Sequence, residues 1–388
     1  MQNLKKNIFN LLGFLFFNLI FSQEIKKIDS LEIEILKKQN VSSLVNNYNQ
    51  LTREYLKVDI QKSIEYNNKV WKLLKKDVED KNKSDFYRNK ATIEIMTEKP
   101  ELCIEDSKIA AKIYLKIKDT IGYLNTMYDQ AYATAYLNKF KESIELAKNS
   151  LKLSKSDKFS TQIAKLNHVL CINYINLYET KNALYHIKKS IYFYRKSKMD
   201  NNLVILNCYN EISNIYLKTK QFDKALEYAK FGVKLRGLDD LNNNQVSVAY
   251  TLISNIYTEL KDYKNALFYI KIAIRKSQRP NNKYLIAQNI NLLAVIYLKQ
   301  KKYDLSIENV KKAIAVSKIN MFETDENQIL GNCYYAKSQL QKAPDLNKSV
   351  SNQFDNESLN YLKKAQELQK KVIDTIENSK DKERENSI

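Results

Sequence analysis

A phrase of eight residues recurs in this chain at a nearly constant interval, and this repetition limits the possible folds more than any other feature. The segments 209–216 (YNEISNIY), 250–257 (YTLISNIY) and 290–297 (INLLAVIY) begin 41 and 40 residues apart. Related copies end at Tyr174 upstream and at Tyr334 downstream. A fixed period of about 20 to 50 residues is typical of a repeat architecture. The chain is therefore predicted to consist of stacked copies of one unit.

A second phrase follows each copy of the first, at 222–226 (FDKAL), 263–267 (YKNAL) and 303–307 (YDLSI). In both phrases the apolar residues have the spacing of a helix with one buried stripe. Small residues recur at one position in each phrase: Cys171, Ser213, Ser254, Ala294 and Gly331 in the first, and Ala183, Ala225, Ala266 and Ser306 in the second. Larger side chains would push two packed helices beyond their usual separation of about 8 to 10 Å. Each unit is thus predicted to be a pair of helices that cross at these small residues.

The composition favours an all-α chain. Only five Gly and three Pro occur among 388 residues, which leaves little turn chemistry for a β-sandwich, a barrel or a phosphate-binding loop. With 44% hydrophobic and 28% charged residues, the chain is apolar enough to bury a sizeable core.

Eight antiparallel helix pairs are predicted within residues 42–378. The predicted helices are 42–57 and 60–76, 84–97 and 101–117, 121–137 and 140–155, 160–177 and 181–196, 202–219 and 222–237, 243–260 and 263–277, 283–299 and 303–318, and 325–341 and 356–377. A capping helix is predicted within 23–41, a looped insertion at 343–353, and a disordered tail at 379–388.

The two phrases resemble the tetratricopeptide repeat family, whose motif has an aromatic residue, a Leu-Gly-like pair and a Tyr in the first helix, then Ala and an aromatic residue in the second. The resemblance covers nearly the whole chain after residue 41 and is strongest from Ala164 to Lys318. It implies a right-handed superhelical solenoid whose first helices line a concave ligand groove. The chain departs from the family in its period, about 40 residues instead of about 34, and in lacking most of the Gly and Pro of the family's turns.

The resemblance also implies that first-helix residues pointing away from the second helix form a peptide-binding groove. These candidates are His168, Asn207, Asn210, Asn214, Lys218, Thr251, Asn255, Asn291 and Lys299, with Ile172 beside them. Asparagine is disfavoured inside helices, yet its amide can both donate to and accept from an extended peptide. Asn214 and Asn255 stand where the family has a peptide-clamping Asn, but its Lys companion one turn earlier is replaced by Asn210 and Thr251. Asparagine is also common in the loops of this chain, so a purely structural role stays open.

Three tyrosines, Tyr128, Tyr132 and Tyr136, occupy comparable faces of an earlier first helix. They have two possible roles. They could extend the groove as aromatic anchors, or they could pack against the next helix pair.

The first 22 residues are predicted to be a secretory signal peptide. Lys5 and Lys6 precede an apolar run from Ile8 to Phe21, and Ser22 is a small residue at its end. The run is shorter than the about 20 residues of a spanning helix, although an uncleaved membrane anchor is the alternative. We expect export to the periplasm or beyond, with no second stretch of spanning length.

The charge of +20 is spread over the chain rather than gathered in one block. Because export separates the chain from nucleic acid, an acidic cell-surface polymer or membrane face is the alternative basic-surface partner. The four cysteines, Cys103, Cys171, Cys208 and Cys333, are far apart and are expected to be packing residues, although a Cys171–Cys208 disulfide is conceivable. The two histidines lack the neighbours of a metal site.

No nucleophile motif, phosphate loop or metalloprotease motif occurs, so the chain is predicted to be non-enzymatic and without a cofactor. The expected function is an adaptor that binds a peptide or protein segment in the groove. The alternative is a sensory ectodomain, because similar exported repeat regions occur in bacterial regulators. The adaptor is favoured because no membrane helix follows the repeats. The sequence identifies neither the partner nor the oligomeric state.

Overall fold

The computed structural model describes residues 21–76, 78–154, 156–197, 202–238, 244–278, 282–317, 356–361 and 363. Up to Ser317 these residues form fifteen α-helices and one short 3-10 turn at Asp157–Phe159, and none of the described residues lies in a strand. The predicted all-α class is confirmed.

The helices alternate between first and second members of antiparallel pairs. They are α1 (Phe21–Ile35), α2 (Val41–Tyr55), α3 (Ile60–Leu73), α4 (Asp80–Met96), α5 (Pro100–Lys116), α6 (Thr120–Tyr136), α7 (Phe140–Leu153), α8 (Ser160–Asn176), α9 (Thr180–Lys196), α10 (Asn202–Lys218), α11 (Phe222–Val233), α12 (Asn244–Glu259), α13 (Tyr263–Gln278), α14 (Lys283–Lys299) and α15 (Tyr303–Ser317). The first seven predicted pairs correspond to α2–α15, and α1 precedes them where a capping helix was expected.

Several predicted segments lie outside the described residues. These are residues 1–20 of the signal peptide, the insertion at 343–353, the tail at 379–388 and most of the eighth pair, of which 356–361 are helical.

Two compact units divide the chain between Gln221 and Phe222. In the first unit, α1 to α10 pack in chain order, and the first helices of successive pairs, α2, α4, α6 and α8, also contact one another. In the second unit, α11 to α15 pack in chain order and α12 contacts α14. Each unit therefore repeats the arrangement of a tetratricopeptide-like helical solenoid, with first helices lying side by side.

The predicted small residues do lie where paired helices cross. Ser254 and Ala294 on first helices, and Ala266 and Ser306 on second helices, are all completely buried. The serines contribute a further contact, because the Ser254 hydroxyl donates to the Ala266 carbonyl and the Ser306 hydroxyl to the Ala294 carbonyl, each at 2.8 Å. A serine at the crossing thus permits close approach and also links the two helices directly.

Seven of the turns that follow helices reverse the chain without glycine. Seven non-glycine residues of the described ranges have φ between 56° and 61°: Glu98, Lys118, Asn138, Tyr178, Lys220, Lys261 and Lys301. Each follows a helix by two residues, and the next residue's N–H closes the helix end, as in Asp262 N–H to Tyr257 carbonyl at 2.9 Å and Lys302 N–H to Tyr297 carbonyl at 2.9 Å. This is the left-handed helix ending that usually carries glycine. Its backbone geometry explains how the chain dispenses with the family's turn glycines.

Helix starts are fixed by side chains that accept otherwise unpaired N–H groups. Asn40 accepts from Ser43 N–H at 2.8 Å, and Asp119 accepts from Gly122 N–H at 2.9 Å. Pro100 opens α5, where its missing N–H costs no helical hydrogen bond.

Candidate functional site

Charged and aromatic side chains connect the first helices of the first unit along one face. We call this the first-helix face and define it by Arg53, Asp85, Arg88, Tyr128, Asp129, Lys165, His168 and Glu211. Residues at i, i+3 and i+4 share one side of a helix, which places Asp85 with Arg88 and Lys165 with His168. Contacts between side chains roughly one repeat apart then join successive helices.

The first link joins α2 to α4. Arg53 lies 3.3 Å from the Asp85 carboxylate, which is almost fully buried. Lys81 donates to the same carboxylate at 3.1 Å, and the buried Tyr114 hydroxyl donates to it from α5. Asp85 is therefore held by three donors from three different helices.

The second link joins α4 to α6 and leads on to α8. Arg88 Nε donates to Asp129 Oδ2 at 2.9 Å. Lys165 of α8 has its Nζ 5.5 Å from the Tyr128 ring centroid, and it forms no hydrogen bond or ion pair with the described residues. Burial and the charge of Arg88 lower the pKa of Lys165 to about 8, against the opposing charge of Asp129. The Asp129 carboxylate thus lies near both Arg88 and Lys165, but it pairs directly only with Arg88.

The third link joins α8 to α10 through a buried pair. His168 Nε2 lies 2.7 Å from Glu211 Oε1, and both side chains are 4% exposed. Burial alone would lower the pKa of His168, but the Glu211 charge and hydrogen bond outweigh it and raise that pKa. Solvent hardly reaches either group, so the pair rigidly ties two repeats together.

The neighbouring cysteines are free thiols. Cys171 Sγ lies 3.9 Å from Glu211 Oε2, and Cys208 Sγ lies 3.9 Å from the Ser190 hydroxyl. Burial and the nearby carboxylate raise the pKa of both thiols. Because the thiolate is the reactive form, these cysteines are packing residues, as predicted, and the structure has no Cys171–Cys208 disulfide.

The predicted groove residues differ widely in exposure. His168, Asn207, Asn210 and Ile172 are buried; Thr251, Asn255 and Asn291 are half-buried; and Asn214, Lys218 and Lys299 are exposed. Three of them already have side-chain partners, since His168 pairs with Glu211 at 2.7 Å, Thr251 donates to Asn289 Oδ1 at 2.6 Å and Lys299 pairs with Glu259 at 2.8 Å. The amide oxygens of Asn210 and Asn291 are buried without a hydrogen-bond partner among the described residues.

The groove candidates fall in both compact units. His168 and the α10 residues from Asn207 to Lys218 belong to the first, and the candidates from Thr251 to Lys299 belong to the second.

The three candidate tyrosines are half-buried on α6. The Tyr128 and Tyr132 rings lie 6.1 Å apart, and Tyr132 and Tyr136 pack in a cluster with Ile172 of α8. Each ring therefore contributes to packing between repeats and still presents part of its surface to solvent.

A different set of asparagines, which the sequence did not single out, joins successive first helices. Asn89 donates to the Asn49 carbonyl at 3.0 Å and Asn49 donates to the Asn82 carbonyl at 2.9 Å. In the second unit Asn289 donates to the Ser247 hydroxyl at 3.0 Å. Asparagine inside these helices therefore has a structural role wherever it can reach the backbone or a hydroxyl of the adjacent repeat.

The first-helix face offers charged groups, aromatic rings and amide groups to a neighbouring molecule. Its carboxylates are paired with cations, and the nearby thiols are protonated. Among the described residues no three His, Cys, Asp or Glu side chains are placed to hold a metal ion. Within the described ranges, no helix combines the length and the apolar character needed to cross a membrane.

Sequence comparison identifies the repeat. The tetratricopeptide repeat family matches at residues 206–236, 247–275 and 287–320, which correspond to three successive helix pairs. No curated protein sequence matches the chain.

Comparison with solved structures extends the likeness beyond those residues. A Rap protein complexed with competence and sporulation factor is 15% identical, with 94% of this chain and 98% of that chain covered, at a TM-score of 0.56. The apo form of the quorum sensor NprR from B. thuringiensis is 15% identical, with coverage of 88% and 94% and a TM-score of 0.57.

A third similar structure is a signal transduction ATPase with a tetratricopeptide repeat sensor, from Pyrococcus horikoshii. It is 13% identical, with 91% of this chain and 53% of that chain covered, at a TM-score of 0.63. Identities this low show the fold alone. The chain therefore contains tetratricopeptide repeats at the three matched segments and has the fold of a tetratricopeptide-like helical solenoid.

Proposed function

We propose that this protein is a non-catalytic adaptor of the cell envelope that binds an extended peptide or protein segment on its first-helix face. The observation that carries the proposal is Lys165, a half-buried cation that has no ion-pair partner among the described residues and lies beside Arg88 and Tyr128. A charge removed from water is costly unless it is paired. A carboxylate of the bound segment would supply that pair.

Hydrogen-bonding groups on α10, the next first helix, suit the backbone of such a segment. Asn214 and Lys218 lie on the same side of α10 and are exposed. The Asn214 amide can donate to a carbonyl group and accept from an N–H group of an extended peptide. Asn210, one turn before Asn214, is 7% exposed. Tyr128 and Tyr132 would pack against the side chains of such a peptide.

The similar structures support a binding role. The Rap protein is a complex with competence and sporulation factor, and NprR is a quorum sensor. The same two proteins support a second candidate, in which this chain is the sensory part of a signalling system. The two roles share the ligand site and differ in what ligand binding changes. A protein partner recovered only in the presence of the selected peptide would favour the sensor.

The experiment is a selection of random decapeptides on the purified chain from residue 23 onward, followed by fluorescence anisotropy with the enriched peptides. We expect enriched peptides to carry a carboxylate and Lys165→Met to weaken their binding at least tenfold. The matched control, Lys148→Met on the outer side of α7, removes the same charge elsewhere and should change binding less than twofold. Equal binding by the wild type and Lys165→Met would eliminate this site.

The predicted asparagine ladder is tested with the same peptides. Replacing Asn210 and Asn214 by Ala within the first unit should weaken binding without loss of helicity, and Asn255→Ala, in the second unit, is measured as a separate variant. Export is tested separately, because a cleaved signal peptide leaves a mature N-terminus near Gln23.

A further inference from the structure

The outer side of the second helices has a repeating glutamate. Counting two residues from the small crossing residue of each pair leads to Glu65, Glu105 and Glu145 in the first unit, and to Glu227 and Glu308 in the second, all of them exposed. Two of these five carboxylates form ion pairs along the same helix, Glu65–Lys69 at 2.7 Å and Glu308–Lys312 at 2.5 Å. The repeat thus normally has an acidic side chain among its outer lysines.

Two pairs break this rule in the same manner. The fourth pair has Tyr185 at the glutamate position and the sixth has Phe268, with 53% and 59% of their surface exposed. Neither α9 nor α13 contains a single Asp or Glu. In both helices an exposed ring replaces the carboxylate, and the surrounding cations stay.

In α9 the change produces a continuous stripe. We call it the α9 stripe and define it by Lys181, Tyr185, Lys188, Lys189, Tyr192 and Lys196, all exposed and on one side of the helix. Lys189 Nζ lies 4.6 Å from the Tyr185 centroid, and Lys196 Nζ lies 5.8 Å from the Tyr192 centroid. Lys196 also pairs with Asp157 at 2.7 Å, while Lys181 and Lys189 form no ion pair with the described residues.

α13 shows the same chemistry within the second unit. Phe268 lies between exposed Lys264, Lys271 and Arg275 on one side of that helix. An exposed ring beside three cations contributes nothing to the core, and its place at the glutamate position is shared only with Tyr185 among the described pairs.

The spacing of the groups indicates the kind of anion. The two tyrosines are seven residues apart, as are Lys181 and Lys188, and this corresponds to about 10 Å along a helix. A sugar ring packs its C–H groups against an aromatic face, and a disaccharide repeat of an extended chain has a comparable length. Nucleic acid has its charges far closer together, at about 3.4 Å per strand of a duplex. Widely spaced cations alternating with rings fit a polymer that has one anionic group for every two sugars.

We propose that the α9 stripe binds a linear acidic polysaccharide, with its carboxylate groups on the lysines and its sugar rings on Tyr185 and Tyr192. This surface is separate from the first-helix face, so each proposal can fail without the other.

The experiment measures binding of the full mature chain to immobilised hyaluronate, a linear polymer with one carboxylate for every two sugars, at an ionic strength near 0.15 M. Tyr185→Glu rebuilds the residue found at the same position in the three preceding pairs, and it should weaken binding at least tenfold. Tyr192→Ala and Lys189→Gln, which remove one ring and one cation without adding a carboxylate, should each weaken binding severalfold. Circular dichroism checks that each variant keeps its helicity.

The matched control is Lys148→Gln on α7, which changes the net charge by the same amount as Tyr185→Glu but leaves Glu145 in place. It should alter binding less than twofold. The proposal is overturned if Tyr185→Glu binds as the wild type does, or if the control loses as much. It is also overturned if oligothymidylate or phosphatidylglycerol vesicles bind more tightly than hyaluronate. Neutral dextran should not bind, and Lys165→Met should bind hyaluronate like the wild type.

Discussion

Replacing Gly122 by alanine should destabilise the protein, although alanine normally stabilises a helix relative to glycine by about 1 kcal/mol. Gly122 lies in the first turn of α6 against the ring of Tyr114. An added Cβ would lie 2.8 Å from Tyr114 Cζ and still closer to Cδ1 and Cε1. Tyr114 is 1% exposed, and its hydroxyl donates to Asp85 on the first-helix face. The ring therefore cannot move away without loosening that hydrogen bond.

The size of the effect follows from these contacts. Overpacking a filled core costs about 1 to 3 kcal/mol, and a hydrogen bond to a charged group contributes about 1.5 to 3 kcal/mol. We expect the overpacking cost and a partial loss of the Tyr114–Asp85 hydrogen bond, less the higher helix propensity of alanine. Gly122→Ala should therefore lower the free energy of unfolding by about 2 kcal/mol. With a slope near 2 kcal/mol/M in urea, the midpoint should fall by about 1 M.

Urea unfolding followed by circular dichroism measures this shift. The same substitution in a Tyr114→Leu background, where most of the offending ring atoms are absent, should be neutral or stabilising. The reasoning is refuted if Gly122→Ala alone is as stable as the wild type, or if it costs the same in both backgrounds.

Three further predictions concern charge and backbone. Because the Glu211 charge raises the pKa of His168, their pair stabilises the fold fully below about pH 6.5 and less as the pH rises through the folded-state pKa. The difference in unfolding free energy between the wild type and Glu211→Gln, measured by urea titration, should therefore be larger at pH 6 than at pH 9. A difference that does not change with pH would contradict this. Burial and a neighbouring carboxyl group raise the pKa of Glu94 to about 7, so wild-type stability should decline between about pH 4.5 and 7. Glu94→Gln should flatten that decline and leave the protein more stable than the wild type at pH 8, whereas parallel pH curves would contradict the assignment. Lys301 has φ of 61°, so Lys301→Gly should raise the thermal midpoint, corresponding to up to about 1 kcal/mol, while Lys302→Gly should lower it; equal effects would refute the strain argument.

The helix pairs could be predicted from the sequence because their determinants are local and recur in step. A small residue such as Ser254 marks the crossing regardless of distant contacts, and its burial follows from the periodicity alone. The turn geometry was less accessible. Lysine and tyrosine, unlike glycine, carry no sign of a left-handed backbone, and only the hydrogen bonds that close each helix, as at Lys301, reveal why those residues adopt it.

The candidate site was predicted only in part, because a charged residue in a helical sequence does not show which residue of the adjacent repeat it contacts. Arg88 and Asp129 look like ordinary solvated surface residues on their own helices. They become partners because stacking places residues 41 positions apart within 2.9 Å. A search for opposite charges one repeat apart would have found this pair, and also His168 with Glu211. It would not have found Lys165, because Lys165 forms no ion pair with the described residues.

The two proposed surfaces differ in which residues balance the charges of each repeat. On the first-helix face, cations such as Arg88 are balanced by carboxylates of the adjacent repeat, so a change at one position affects the packing of two helix pairs. On the outer face, ion pairs such as Glu65–Lys69 lie within one helix, and each contributes only about 0.2 to 0.5 kcal/mol. In a repeat protein each unit depends mainly on its neighbours, so an exposed outer position can change without cost to the fold. Tyr185 has no acidic side chain to offer the lysines of α9, and its exposed ring lies against Lys189 instead, with 4.6 Å between Nζ and the ring centroid. That contact offsets the missing ion pair, so the fold tolerates either residue, and the proposed binding accounts for the choice of an exposed ring.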